Sequence, residues 1–216
     1  MPTFFGTAFP IRPGVFVTAA HVVRAARDSG GKVAVYRTGP RSREVPSAVH
    51  CVDDIELFDG LDLALVKCAG HANLVSLPLL FEPLDVLTPV TAVGFAVGID
   101  VQYQTFVHRA FAGNVVTRRE LYHMKPQQPP GYELSFVTPP GLSGAPFVIR
   151  TADGDFVAGY IVHWWRVELE GVEYRFGIAV ASEALLSVTS AIVGGSLAEA
   201  LGTEPRPLGP ASTPVR

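Results

Sequence analysis

Short runs in which apolar and polar residues alternate recur along most of the chain, and turn-forming Gly, Pro and Asp separate them. Alternation with a period of two predicts half-buried β-strands. A first group of predicted strands spans residues 3–11, 15–18, 32–37, 45–52 and 63–67. A second group spans residues 90–97, 101–111, 114–122, 132–137, 146–150, 156–165 and 172–181. The pattern therefore predicts an all-β protein.

Between the two groups of strands lies a segment that cannot form a continuous ladder. Pro78, Pro83 and Pro89 interrupt residues 77–89, and a proline has no backbone N–H to donate to a neighbouring strand. We expect a boundary between two β units here, with the first unit over residues 1–82 and the second over residues 83–181.

The pattern changes after the last predicted strand. Ser182 can cap a helix start, and apolar side chains follow it at helical spacing to Val193. The sequence predicts a closing helix here, within a C-terminal segment that we place at residues 182–202. Prolines and small residues over residues 203–216 predict a flexible tail.

Composition and charge exclude several functional classes. Hydrophobic residues make up 48% of the chain and charged residues 17%, so a disordered chain is excluded. The net charge is −3 and no basic run is present, which argues against nucleic acid as a partner. The longest uncharged stretch, residues 134–149, is broken by prolines and is shorter than the ~18 residues that suggest a membrane span. We expect no membrane partner.

The N-terminal residues and the cysteines bear on the compartment. No Lys or Arg precedes Arg12, so the positive start of a secretory signal is missing and a cytoplasmic location is expected. Cys51 and Cys68 are the only cysteines. Their spacing matches neither a metal motif nor a disulfide framework, and we expect two reduced thiols.

Three short segments carry the residue types of nucleophilic catalysis. His21 follows an apolar strand and two alanines, Asp62 precedes an apolar strand, and Ser143 lies between Gly141 and Gly144. Each alone has an ordinary explanation as a core histidine, a turn aspartate or a Gly/Pro turn. Glycines beside a serine also let backbone amides converge on one point, as an oxyanion hole requires.

Taken together, the motifs T-A-A-H ending at His21, D-L-A-L starting at Asp62 and G-L-S-G-A-P around Ser143 resemble the trypsin/chymotrypsin-like serine peptidases. The match is closer to bacterial trypsin-like peptidases without disulfides, and it covers about residues 3–193. The resemblance implies two six-stranded antiparallel β-barrels, with His21 and Asp62 from the first barrel and Ser143 from the second. It also implies an acyl-enzyme mechanism in which the amides of Gly141 and Ser143 bind the oxyanion, with no metal and no cofactor.

The sequence departs from the digestive enzymes of this family at two positions beside the nucleophile. Leu142 stands where those enzymes carry an acid that pairs with a freshly cleaved N-terminus, and a leucine cannot form that ion pair. Activation by N-terminal trimming is therefore not expected. Ala145 replaces a glycine and adds one methyl group, which we expect to preserve activity.

The resemblance also implies where the side chain before the scissile bond would bind. Val137 stands where trypsin has an acid, so Arg and Lys are not expected as preferred residues. Val137 with Trp164 favours a small or apolar side chain. Alternatively, Thr138 and His163 are similar to the Thr and His of glutamyl endopeptidases, where both help to bind a carboxylate. A one-residue change of register decides which side chain faces the pocket.

Two readings of function stay open from the sequence. The first is a serine endopeptidase acting on proteins or peptides. The second is a silent trypsin-like domain that binds a protein or peptide, because a fold does not fix a function. We also expect restraint by a regulatory protein partner, a lid or a narrow substrate range, with residues 125–131 as a candidate loop. The remaining histidines, His50, His71, His108 and His123, are expected to be structural or surface groups.

Overall fold

The fold is described from a computed structural model that covers residues 4–30, 32–36, 49–96, 99–100, 105–118 and 129–203. The first half of the chain forms β-strands around one helix. Its elements are β1 (Phe9–Arg12), β2 (Val15–Ala19), α1 (Ala20–Asp28), β3 (Ala34–Tyr36), β4 (Val49–Cys51), β5 (Asp54–Phe58) and β6 (Leu63–Lys67). Strands β1, β2, β6 and β5 form a four-stranded antiparallel sheet in that order, and β3 pairs with β4.

The second half forms a closed barrel. Its strands are β7 (Pro89–Gly94), β8 (Ile99–Asp100), β9 (Thr105–Phe106), β10 (Arg109–Arg118), β11 (Gly131–Leu134), β12 (Pro146–Thr151), β13 (Gly154–Leu169) and β14 (Val172–Ala181). The barrel order is β10, β11, β14, β13, β12 and β7, with antiparallel pairing throughout, while β8 and β9 form a separate pair. Closure leaves this sheet without free edges.

The turn between β13 and β14 follows directly from two residues. Glu170 and Gly171 have φ angles of 52° and 76°, and two consecutive positive φ values are the requirement of the tight hairpin turn that matches strand twist. The turn lets β13 run for 16 residues and pair with β14 from Leu169↔Val172 back to Gly159↔Ala181. This long pair extends from the barrel and carries the predicted substrate-binding residues His163 and Trp164.

Two hydrophobic clusters position the two halves. One fills the barrel and includes Leu134, Phe147 and Ile161. The other joins Val17 and Leu65 of the first sheet to barrel residues on the outer face of β13 and β14 and to the C-terminal segment. Burial of apolar side chains from both halves in one cluster fixes the first sheet against the barrel.

The prediction of an all-β, chymotrypsin-like fold is confirmed. The second group of predicted strands contains the closed six-stranded barrel, while the described part of the first half forms the four-stranded sheet and the separate pair. Strand β5 is missing from the predicted set although Ile55 and Leu57 alternate with its two acids, because the four acids over residues 53–59 are more typical of a loop. Predicted strand 3–11 pairs only over Phe9–Arg12.

The proline-rich segment 77–89 makes contacts with both halves of the protein. The Leu77 N–H donates to the Pro10 carbonyl at 3.0 Å, and the Leu80 N–H donates to the Val157 carbonyl at 2.8 Å. Val157 N–H in turn donates to the Pro78 carbonyl at 2.8 Å. The segment thus connects β1 with β13 in an extended conformation, and the boundary that we place in it stays a prediction.

The C-terminal segment differs from the predicted helix over residues 182–193. A 3-10 helix covers only Ser182–Ser187, followed by strands β15 (Thr189–Ser190) and β16 (Gly195–Ser196) and a short helix α2 (Leu197–Ala200). The Glu56 carboxylate accepts hydrogen bonds from the Ser190 hydroxyl and from the Ala191 N–H. These bonds to β5 take the place of helical ones. The predicted tail, residues 203–216, lies outside the described residues after residue 203.

Candidate active site

His21 lies where β2 gives way to α1. Ala19 and Ala20 before it are fully buried, and their small side chains let the strand turn into the helix against the core. Val22 and Val23 after it are also buried. Because its neighbours anchor the backbone on both sides, His21 is held with its ring in contact with solvent, the side chain being 44% exposed.

Asp62 is bonded to His21 and its neighbour through three of its oxygen atoms. Its Oδ2 lies 2.7 Å from His21 Nδ1, its Oδ1 accepts the His21 backbone N–H at 3.0 Å, and its carbonyl accepts the Ala20 N–H at 2.8 Å. Asp62 follows the 3-10 turn Asp59–Leu61 and has a φ of 46°, a left-handed conformation that Asp tolerates better than most residues. With Nδ1–H directed at the carboxylate, Nε2 is left as a proton acceptor.

Tyr160 supports the loop that carries Asp62, and nothing in the sequence pointed to it. Its hydroxyl donates to the Leu61 carbonyl at 2.7 Å across 99 positions of sequence. The side chain comes from β13 and is fully buried. Burial, and secondly the charge of Asp62, raise the pKa of Tyr160 well above its ordinary value, so the hydroxyl stays protonated and available as a donor.

Ser143 lies in a tightly wound loop between β11 and β12. Gly141 and Gly144 adopt φ angles of 90° and 80°, which glycine reaches without steric cost. The Leu142 N–H donates to the Pro139 carbonyl at 3.1 Å, and the Ala145 N–H donates to the Leu142 carbonyl at 2.9 Å. Among the described residues, the backbone N–H groups of Gly141 and Ser143 have no hydrogen-bond acceptor, so both remain available to an external oxygen.

This loop packs directly against the strand that leads to His21. A Cβ on Gly144 would lie 2.2 Å from Thr18 Oγ1 and 3.0 Å from the Ala19 nitrogen. Only glycine permits so close an approach at this position. Ser143 and His21 are therefore brought to the same junction between the first sheet and the barrel.

The Ser143 hydroxyl itself is directed elsewhere. Its Oγ donates to the Val162 carbonyl at 3.2 Å, and the described hydrogen bonds include none between Ser143 and His21. The structure thus forms the His21–Asp62 pair and packs the loop of Ser143 against the strand that leads to His21, with the serine hydroxyl bonded to the Val162 carbonyl.

Thr138 lies in the loop between β11 and β12, a few residues before Ser143. It is only 4% exposed, and its Oγ1 has no hydrogen-bond partner in the described part of the chain. A Cβ on Gly177 would lie 2.9 Å from Thr138 Cγ2. Val137, the residue before it, is 39% exposed.

The register of β13 on β14 distinguishes Trp164 from His163. Trp164 pairs directly with Gly177, whereas His163 pairs with Ile178 after an irregularity at Val162. Directly paired residues share a face and neighbouring residues alternate, so Trp164 lies on the face of Gly177 and Thr138. His163 lies on the opposite face, with Ile178. The Arg175 guanidinium stacks over the Trp164 ring at 5.5 Å from its centroid.

Within the described part of the chain, the remaining titratable and metal-ligating groups form no second site. His71 is buried, with Nε2 lying 3.0 Å from the Val35 carbonyl, and burial lowers the pKa of His108. Cys68 is buried, while Cys51, His50 and His123 lie outside the described side chains. Across the described ranges, no three His, Cys, Asp or Glu side chains converge as a metal site would require. The described helices also include none long and apolar enough to cross a bilayer.

Comparison with known proteins agrees with this fold. A family model described as the trypsin-like peptidase domain matches residues 6–158, so the chain belongs to that family. The crystal structure of the Rv3671c protease from M. tuberculosis in its active form superposes with a TM-score of 0.61 at 19% identity, covering 96% of this chain and 78% of that chain. A serine-to-alanine mutant of Rv3671c from M. tuberculosis H37Rv, in an inactive form, gives a TM-score of 0.58 at 19% identity, covering 94% and 84%.

At this level of identity the two structures support the chymotrypsin-like fold of the chain and nothing more specific. No curated protein is significantly similar to it.

Proposed function

We propose that the protein is a serine endopeptidase in which Ser143 is the nucleophile, His21 the general base and acid, and Asp62 the group that orients the imidazole. The observation that carries the proposal is the double hydrogen bond of Asp62 to His21, to the ring at 2.7 Å and to the backbone at 3.0 Å. A carboxylate in this position fixes both the tautomer and the orientation of the ring. A binding surface has no need of such an arrangement.

The proposed reaction begins with a rotation of the Ser143 side chain away from the Val162 carbonyl. Ser143 Oγ then attacks the peptide carbonyl while His21 Nε2 takes its proton, and His21 returns that proton to the leaving amine. The backbone N–H groups of Gly141 and Ser143 donate to the developing oxyanion, each contributing ~3 kcal/mol to the lowering of the barrier. Water then attacks the acyl carbonyl while His21 takes its proton. His21 returns that proton to Ser143 Oγ as the acyl group leaves, and Ser143 is released.

For the residue before the scissile bond, we propose a preference for small or apolar side chains. The register supports this alternative over an acidic preference, because Trp164 rather than His163 shares the face of Thr138 and Gly177. Thr138 then lies within the proposed pocket, but the His163 imidazole, which would help Thr138 to bind a carboxylate, lies on the other face of β13.

A second function is favoured by one specific observation. The Ser143 hydroxyl donates to the Val162 carbonyl instead of to His21, as it would in a silent domain that only binds a protein or peptide. The two functions make opposite predictions about the reactivity of Ser143.

Labelling with a fluorophosphonate probe separates the two functions. We expect the wild-type protein to be labelled covalently and the Ser143→Ala variant to remain unlabelled, because the probe reacts only with an activated serine. Asp62→Asn serves as a second control, since it retains the serine but presents the wrong partner to His21 Nδ1, and its labelling rate should fall by about 10³-fold or more. Equal labelling of wild type and Ser143→Ala would contradict the peptidase and favour the silent domain.

A further inference from the structure

The segment immediately before β1 is hydrogen-bonded to the nucleophile loop by Thr7. Thr7 is only 5% exposed. Its N–H donates to the Ser143 carbonyl at 2.9 Å, and its hydroxyl donates to the Gly141 carbonyl at 2.9 Å. One buried threonine thus binds the carbonyls of both residues whose amides remain unbonded.

The other polar contacts of Thr7 hold it in this position. Its Oγ1 accepts the Phe95 N–H at 3.1 Å, and its carbonyl accepts the Thr18 hydroxyl at 2.7 Å. Phe95 comes from the segment after β7 of the barrel and Thr18 from β2 of the first sheet. Every hydrogen-bonding group of Thr7 is used, and the contacts come from both halves of the protein.

These bonds fix the two peptide units on either side of the Ser143 amide. The unit between Gly141 and Leu142 is held at its oxygen by the Thr7 hydroxyl and at its nitrogen by the Pro139 carbonyl. The unit between Ser143 and Gly144 is held at its oxygen by the Thr7 N–H and at its nitrogen by the Ile161 carbonyl. The peptide between them, which carries the Ser143 N–H, can therefore point only one way.

Such restraint is needed because the loop contains residues that could flip. Gly141 at a φ of 90° has wide conformational freedom, and rotation of the two flanking peptide units would let the Ser143 amide between them turn away from the oxyanion. Leu142, which is fully buried, brings no charged group that could hold the loop.

We propose that Thr7 is a positioning residue that keeps the Ser143 amide directed at the oxyanion, through the bond from its hydroxyl to the Gly141 carbonyl. This inference rests on the proposed peptidase function. Thr7 itself touches no reacting atom, so its effect is on the transition state through the loop and not on substrate binding.

The test compares variants of Thr7 in the full chain. Thr7→Val keeps the shape of the side chain and removes the hydroxyl, whereas Thr7→Ser keeps the hydroxyl and removes a methyl group. We expect Thr7→Val to lower kcat on a peptide substrate by about 10²-fold, the effect of losing one oxyanion donor, with KM changed by less than about twofold. Thr7→Ser should retain kcat within about threefold of wild type.

Ser182→Ala is the matched control for lost stability. It removes a buried side-chain hydrogen bond, to the Val157 carbonyl at 3.0 Å, that involves neither Thr7 nor the nucleophile loop, so it should lower the unfolding temperature as Thr7→Val does while retaining kcat. Thr7→Ala provides a second variant without the hydroxyl, in case valine does not fit beside Gly94, where a Cβ would lie 2.8 Å from Thr7 Oγ1.

A kcat within threefold of wild type in either folded variant without the hydroxyl would overturn the inference, as would a loss that falls on KM alone. Failure of both variants to fold would show that Thr7 serves the fold and would overturn it too. The proposed function fails separately, namely when the wild-type protein neither cleaves peptides nor reacts with the fluorophosphonate.

Discussion

At the scale of single residues, Tyr160 shows how the barrel controls a loop of the other half of the protein. Its buried hydroxyl holds the Leu61 carbonyl at 2.7 Å, one residue before Asp62. Burial and the charge of Asp62 both disfavour the phenolate, and they raise the pKa of Tyr160 well above 10.0. The folded protein therefore retains a proton that the unfolded chain loses near pH 10.

We expect Tyr160→Phe to lower the free energy of unfolding by about 1 kcal/mol at pH 8, the usual net value of one hydrogen bond. In the wild type, the stability that comes from neutral Tyr160 is present below the unfolded pKa and is lost as the pH rises through and above it. The phenylalanine variant has no such group to lose. Urea unfolding at pH 8 and at higher pH should thus show the difference between the two proteins shrinking above pH 10.

Tyr174, an exposed tyrosine of β14, supplies the matched control. Tyr174→Phe should leave the stability at pH 8 unchanged. A difference between wild type and Tyr160→Phe that stayed constant or grew above pH 10 would contradict the role given to the buried hydroxyl.

At the scale of elements, the pairing of β13 with β14 determines which side chain faces the proposed specificity pocket. Trp164 lies opposite Gly177, where a Cβ would lie only 2.9 Å from Thr138 Cγ2, so Thr138 packs closely against the bare backbone of Gly177. Trp164 remains 42% exposed, so in the proposal it forms a wall at the surface end of the pocket and not part of the barrel core.

Replacement of Trp164 should change which peptides are cleaved. We expect the wild type to cleave after small or apolar residues, and Trp164→Ala to gain about tenfold or more in kcat/KM for large apolar residues relative to small ones, since each buried methylene is worth about 1–3 kcal/mol in such a pocket. Trp164→Phe should lie between the two. The measurement is cleavage of a peptide library that varies the residue before the scissile bond.

His163→Ala is the control for this library. Because His163 lies on the opposite face of β13, its replacement should leave the preference for the residue before the scissile bond unchanged. Cleavage mainly after Glu in the wild type, abolished in His163→Ala, would show that the register assignment of the pocket is wrong and that the acidic alternative holds.

The elements also show which features could be predicted from the sequence. The three motifs proposed as catalytic are local, because a strand end, a turn and a glycine pair each leave a recognisable pattern around His21, Asp62 and Ser143. Thr7 and Tyr160 leave none, since their partners lie 134 and 99 positions away. The irregularity at Val162 adds one residue to β13 and decides which side chain faces the proposed pocket. The alternation of apolar and polar residues alone cannot locate this irregularity.

The C-terminal segment makes the same point for secondary structure. Residues 182–193 have helical spacing of apolar side chains, but Glu56 of β5 binds Ser190 and the Ala191 N–H. A tertiary contact to a charged side chain thus overrides a local preference that is worth only a fraction of a kcal/mol per residue, about 0.7 at most.

At the scale of the whole molecule, one hydrophobic cluster belongs to both halves. It contains Val17 and Leu65 from the first sheet, Tyr160 and Val180 from the barrel, and Leu185 from the C-terminal segment. The site lies at the junction that this cluster holds together. Shared burial of this kind couples the stability of the two halves, and we expect them to unfold in one transition.

The chain carries a separate probe for each half. Cys68 is buried in the first half and both tryptophans, Trp164 and Trp165, belong to β13. In a Cys51→Ser background, reaction of Cys68 with a thiol reagent and tryptophan fluorescence should give the same urea midpoint.

Leu185→Ala, which removes a fully buried side chain of the shared cluster, should lower both midpoints together by an amount equal to about 2–5 kcal/mol. Reaction of Cys68 at a lower urea concentration than the fluorescence change would mean that the first sheet opens while the barrel stays folded, and so would a shift of one midpoint alone. The junction between the first sheet and the barrel would then be the weakest part of the molecule.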